Sequence, residues 1–160
     1  MKAYGAEGTI HAMLSDNFDI ILSGSYNSNE IKGANFIEPD SDGNRLPGTP
    51  NAKISGLLNF HTPITNSGEL NASIEFVAQS STHIGIANNA YSQQDGWQDV
   101  SLRLGYEDDD GWDITFYVEN VTNAEYFDGG YDGADFSPSI IFGISRPRTF
   151  GVKFSHHFGD

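Results

Sequence analysis

A period of two that keeps the same parity from one end to the other constrains this chain more than any other feature. In the segment from Thr149 to Phe158, Phe150, Val152, Phe154 and Phe158 fall on one face with His156, while Gly151, Lys153, Ser155 and His157 fall on the other. Six earlier segments repeat the rule, always with the even-numbered residues apolar. Trp112, Ile114, Phe116 and Val118 oppose Asp113, Thr115, Tyr117 and Glu119, and Val100, Leu102, Leu104 and Tyr106 oppose Ser101, Arg103 and Gly105. Leu70, Ala72, Ile74 and Phe76 alternate with Asn71, Ser73 and Glu75; Ala52, Ile54, Leu58 and Phe60 alternate with Lys53, Ser55, Asn59 and His61, where Leu57 breaks the pattern. Upstream, Phe18, Ile20, Leu22 and Tyr26 face away from Asp19, Ser23, Ser25 and Asn27, with Ile21 as the exception, and Ala6, Ile10, Ala12 and Leu14 face away from Glu7, Thr9 and His11. The pattern predicts an all-β antiparallel protein with no helix of useful length.

The connections alternate between short and long. Ser15 to Asn17, Thr62 to Gly68 and Glu107 to Gly111 are tight turns rich in Asp, Asn and Gly. Lys32 to Pro50, Thr82 to Gln98 and Val121 to Pro147 are longer than the loops of compact soluble domains. Short turns on one rim and long loops on the other are the plan of a transmembrane β-barrel of the outer membrane, and segments of roughly 9 to 11 residues are what a bilayer asks of a tilted spanning strand. The polar average composition does not argue against this, because alternation halves the apolar content of each strand.

The 160 residues carry a net charge of -14, which excludes nucleic acid as a partner, since phosphates need a basic footprint. With no cysteine, an exported chain holds itself together by strand pairing and packing instead of disulfides. No apolar run is long enough for a transmembrane helix or a signal-peptide core. Single-chain barrels of this kind normally have even strand numbers, and an open sheet of seven leaves two unpaired edges in lipid. The expectation is a C-terminal piece of a larger barrel, with material upstream of Met1.

Two stretches point to a family. Asp99 to Tyr106 followed by Trp112 to Phe127 runs strand, turn, strand and then the corner Asn120-Val-Thr-Asn123; Pro147-Arg-Thr-Phe-Gly-Val152, continuing to Phe158, reads as a closing strand with a terminal aromatic. Leu46-Pro-Gly-Thr-Pro50 is a weaker, Pro-containing lead-in to a strand. Together these resemble the C-terminal part of the barrel of TonB-dependent outer-membrane receptors, over essentially the whole chain. The resemblance implies a barrel of about 22 strands closed by an N-terminal plug and importing a scarce nutrient, such as a ferric siderophore, with energy relayed by TonB. It also implies that residues 1–160 lack the plug and the N-terminal barrel strands. Expected partners are outer-membrane lipid and lipopolysaccharide, the TonB system through the missing N-terminal part, the barrel assembly machinery and a small-molecule ligand. The assembly strand would be the one carrying Phe150, Val152, Phe154 and Phe158; Gly159 and Asp160 extend beyond the aromatic that is normally last.

Candidate sites are few. The acidic, aromatic loop from Asp128 to Asp135 offers Asp128, Tyr131, Asp132 and Asp135 for ligand contact or a calcium bridge, with a flexible loop as the plainer reading. Asp40 to Asn44 has carboxylates near calcium-loop spacing, but Arg45 stands where glycine belongs, so a solvated turn is expected. Trp97, Tyr106, Trp112 and Phe127, with Phe158, lie near strand ends, where aromatic rings suit the membrane interface. Lys53, Glu75, Arg103, Asp113, Glu119 and Lys153 read as a wet lumen wall, and Asn120-Val-Thr122 as a corner that bonds its own turn. His156 and His157 point to opposite faces and cannot chelate one ion. No nucleophile with a base, no phosphate-cradling glycine loop, no cofactor motif and no metal cluster stands out, so a non-enzyme is expected.

Alternation alone does not say which face meets water. A soluble lipocalin-like or lectin-like β-domain would bury the same even-numbered face. A complete eight-stranded barrel would result if Ile140 to Ser145 or the Lys32 loop supplied another strand.

Overall fold

The structure, a computed structural model, describes residues 1–33, 41–132 and 139–158. Seven strands form one antiparallel sheet: β1 (Lys2–Ser15), β2 (Phe18–Glu30), β3 (Ala52–Thr65), β4 (Gly68–Gln79), β7 (Trp97–Asp108), β8 (Trp112–Glu119) and β11 (Thr149–His156). They lie side by side in chain order, as a meander. Two small hairpins stand in the long connections: β5 (Thr82–His83) with β6 (Gln93–Gln94), and β9 (Phe127–Asp132) with β10 (Ile140–Ile144).

The register keeps the apolar face continuous. Ile10 pairs with Leu22, Ile20 with Leu58, Ile74 with both Leu58 and Leu102, and Phe116 with both Leu104 and Val152. Even residues thus meet even residues in every ladder. Two tight turns need a correction to achieve this. A two-residue turn sets Ser15 opposite Phe18, and Thr65 opposite Gly68, which would place odd residues beside even ones through the rest of each hairpin. A bulge between Met13 and Ser15 and another between Pro63 and Thr65 leave Leu14 and Ile64 unpaired and restore the parity. Leu14, read from the sequence as an ordinary face residue, is therefore the bulge residue.

Burial is inverted relative to a soluble domain. Among the described residues Ile31 is the one buried apolar side chain, whereas Ile10, Tyr26, Ile54, Ile74, Leu104, Phe116, Phe150, Val152 and Phe154 of the even face are exposed. No second layer of the described residues covers that face, which removes the physical basis of a sandwich or soluble-barrel reading. Phe18, Phe60, Tyr106, Trp112, Phe154 and Phe158 cluster toward the short-turn rim, with Phe18 on Phe60 at 4.7 Å and Trp112 on Phe154 at 5.1 Å between ring centroids. Tyr4, Tyr26 and Phe150 stand toward the other rim. Three glycines serve as seats for rings from the next strand: Phe76 lies over Gly56, Tyr106 over Gly68 and Tyr117 over Gly151, and a Cβ at any of them would strike the ring.

Ile140–Ile144 joins β9, with Tyr131 opposite Ile141 and Gly130 opposite Phe142, and lies outside the seven-stranded sheet. It therefore does not supply an eighth wall strand. The segment around Asp128, expected as a flexible loop, is half of this hairpin, because Ile140, Ile141 and Ile144 give it a β-branched partner strand.

Candidate ligand site at the long-loop rim

The odd-numbered face of the sheet is polar and partly paired across strands. Thr9 Oγ1 lies 3.0 Å from Ser23 Oγ, Asn59 Nδ2 donates to Asp19 Oδ2 at 3.0 Å, and Arg103 Nη1 reaches Glu75 Oε2 at 3.2 Å. Each contact joins adjacent strands, the sheet's counterpart of side-chain pairing along a helix face.

At the upper end of this wall the long connections interlock. Arg45 donates its backbone N–H to Asn88 Oδ1 at 2.9 Å, and Asn88 Nδ2 donates back to the Arg45 carbonyl at 3.0 Å. Asn88 does so from a left-handed backbone, φ 52°. Gly48 N–H donates to the His83 carbonyl at 2.8 Å, Phe127 N–H to Gln94 Oε1 at 2.7 Å, and Asp132 packs directly on Gly85. The buried polar residues Asn29, Ser41, Thr82, Ser92, Gln94, Asn120 and Ser145 belong to this layer or to its junction with the strands.

The third connection is tied down by the Asn120 corner. Asn120 and Asn123 take φ of 51° and 50°, a region asparagine tolerates better than most residues. The Asn120 side chain donates to the carbonyls of Ala124 and Arg146, both at 2.9 Å, and accepts from Ala124 N–H at 2.8 Å and Thr122 Oγ1 at 3.3 Å. Asn123 Oδ1 accepts the N–H of Arg148 at 3.1 Å, and Ser145 Oγ accepts that of Tyr126 at 3.1 Å. The corner thereby fixes Tyr126, whose ring stacks on Trp97 at 3.8 Å and 6° between planes and whose hydroxyl donates to Asp99 Oδ2 at 3.1 Å. Burial, then the bond to Asp99, pushes the Tyr126 phenol up to about 12. Beneath this pair lies an open concavity of about 370 Å³, lined in part by Glu75, Asp99, Arg103, Glu119, Asp128 and Arg146.

The residues singled out from the sequence are distributed as follows. Asp128 lines the concavity, Tyr131 stands exposed on β9 and Asp132 sits against the loop layer, whereas Asp135 and Asp40 lie outside the described residues. Tyr106, Trp112 and Phe158 take the even face near the short-turn rim. Trp97, being odd, shares the polar face with Asp99, and Phe127 packs on Phe142 of the hairpin at 4.1 Å. His156 packs at a tilt on Trp112, 4.0 Å and 43° between the rings, and His157 N–H donates to the Gly111 carbonyl at 2.9 Å. Among the described residues no three His, Cys, Asp or Glu side chains are placed to share a metal. Tyr126, Asp99 and Arg146 went unread in the sequence. The parity of Trp97 was the available signal for its face, and Tyr126 falls outside any alternating run.

An antiparallel meander with an exposed apolar face, a polar opposite face, and tight turns and interlocked loops on opposite rims defines the wall of an outer-membrane β-barrel. The chain belongs to the family described as TonB dependent receptor-like, beta-barrel, whose model matches residues 1–121. Three solved structures share the fold. The ferric yersiniabactin uptake receptor FyuA from Yersinia pestis is 19% identical at TM-score 0.79, matching 94% of this chain and 22% of its own. The siderophore receptor PiuA from Acinetobacter baumannii is 14% identical at 0.71, over 94% of this chain and 21% of its own. BauA, the ferric preacinetobactin receptor from Acinetobacter baumannii, is 19% identical at 0.68, over 96% and 22%. No curated protein matches the chain. The chain thus spans about a fifth of the length of those receptors. The family places it in the outer membrane of a Gram-negative bacterium.

Proposed function

We propose that the chain is the C-terminal wall of a TonB-dependent receptor that imports a scarce nutrient, a ferric siderophore being the class that best fits its structural relatives. The observation that carries this reading is the parity-matched apolar face, exposed across all seven strands of a family barrel. The outer edges of β1 and β11 have no partner strand among the described residues, and unpaired backbone in lipid costs several kcal/mol per group. Further barrel strands and a plug upstream would close the sheet and carry the contact with TonB. In the same reading β11, with Phe150, Val152, Phe154 and Phe158, is the strand offered to the assembly machinery. Tyr106, Trp112 and Phe158 would sit at the membrane interface. Asp128, Tyr131, Asp132 and Asp135 would face ligand or cation-bridged lipopolysaccharide.

The test is made on cells of the source organism, with an antibody against the Asp128 to Asp135 segment. A band several-fold heavier than this chain, in the outer-membrane fraction and needed for uptake of ferric siderophore under iron limitation, is the expected result. A soluble band at the chain's own mass would sink the reading.

A further inference from the structure

We propose that the concavity under the Trp97–Tyr126 pair receives a positively charged group of the imported ligand, held between the rings and the carboxylates of Asp99, Glu119 and Asp128. This rests on the receptor reading above and adds the charge of what is bound.

Three observations carry it. The concavity sits at the long-loop end of the polar wall, next to the interlocked loop layer. Its charges do not balance. Glu75 occupies Arg103 at 3.2 Å, which leaves Asp99, Glu119 and Asp128 facing Arg146 among the described residues that line it. Its rings are fixed, since Tyr126 is bonded through its hydroxyl to Asp99 and through its backbone to Ser145, and Trp97 is stacked on it.

Aromatic faces carry negative quadrupole density and attract cations, and carboxylates beside them add charge-assisted hydrogen bonds to an ammonium or guanidinium. The net charge of -14 on these 160 residues adds a field of the same sign from this part of the wall. Other concavities differ in lining or in place. One between β1, β2 and β3 is lined mainly by Gly, Ser and Thr with Glu7 and Lys53, one lower on the wall holds Asp19, Glu69, Arg103 and His61 with no odd-face Phe, Tyr or Trp, and one that joins Glu69, Glu107, Asp108, Asp109 and Asp113 to Trp112 lies at the short-turn rim, away from the loop layer.

The test is equilibrium binding to the purified native receptor, read by quenching of its tryptophan fluorescence with three ferric chelates. One is a trihydroxamate complex bearing a free ammonium arm, the second is the same complex with that amine acetylated, and the third is a trianionic tris-catecholate complex. The ammonium complex is expected to bind about threefold to tenfold more tightly than its acetylated form, with the gap narrowing as salt is added, and the trianion is expected to bind weakest. Asp99→Asn combined with Glu119→Gln should bring the ratio of the two trihydroxamate affinities close to one. If the double variant does not reach the outer membrane, Glu119→Gln alone makes the comparison. Equal binding of the two trihydroxamates, preference for the trianion, or a ratio indifferent to the substitutions would overturn the proposal. Binding of none of the three would sink the ferric-chelate reading itself and this proposal with it, an outcome distinct from binding that ignores charge.

Discussion

Asn120 does two things at once, and they separate by substitution. Asn120→Gly keeps access to φ 51° and loses the four side-chain hydrogen bonds, so a loss of about 2 to 4 kcal/mol is expected. Asn120→Ala adds the left-handed penalty of about 1 to 2 kcal/mol. Guanidinium unfolding of the native receptor in detergent reads both, and equal midpoints for Gly and Ala would mean that the backbone strain contributes nothing. Tyr126→Phe keeps the stack on Trp97 and removes the bond to Asp99, for about 1 kcal/mol. The phenol is raised from its ordinary value near 10 to about 12, so the contribution of its protonated form is complete below pH 10 and is lost as pH rises through about 12. An alkaline absorbance titration should lose one late-titrating tyrosine in Tyr126→Phe. The Asn120 corner was legible, because an Asn-X-Thr triplet after an alternating run signals a turn that bonds itself. The Tyr126–Asp99 tether was not, because no periodicity links a loop residue to a strand partner across a turn.

Strands carry their information in parity, which is why all seven wall strands could be read from the chain. Phe116→Lys, at mid-strand on the exposed apolar face, should cost about 2 to 4 kcal/mol in the bilayer, while Thr115→Lys on the polar face should cost about 0.5 kcal/mol or less. Unfolding of the receptor in lipid vesicles distinguishes them, and equal costs would contradict the assignment of faces. Deleting Ile64 takes out the bulge residue, so the tight turn would leave β3 and β4 in opposite parity. Its expected outcome is loss of the protease-resistant form in the membrane, with Ile64→Ala assembling normally. The sequence offered Ile140 to Ser145 as an eighth wall strand and not as half of a hairpin, for a physical reason. Its partner strand, Phe127–Asp132, is rich in Gly and Asp, so only the pairing itself reveals it.

At the scale of the whole molecule, grease is placed where a solvent must replace a core. From Phe18 to Tyr26 the strand rises about 26 Å at roughly 3.3 Å per residue. A tilt of about 40° reduces this to an apolar band about 20 Å tall, somewhat short of a typical hydrocarbon core. Unfolding midpoints should therefore be higher in vesicles of short-chain than of long-chain lipids, and the opposite order would mean that the aromatic rows do not mark the interfaces. The two rims answer differently to changes in chain length. A residue gained or lost in a long connection outside its hairpin leaves the register of the wall strands as it was, whereas the same change at Leu14 or Ile64 would turn the strands on one side of it inside out relative to the other. Over generations, insertions would therefore accumulate at the mouth of this wall, while the turns at its base keep their count.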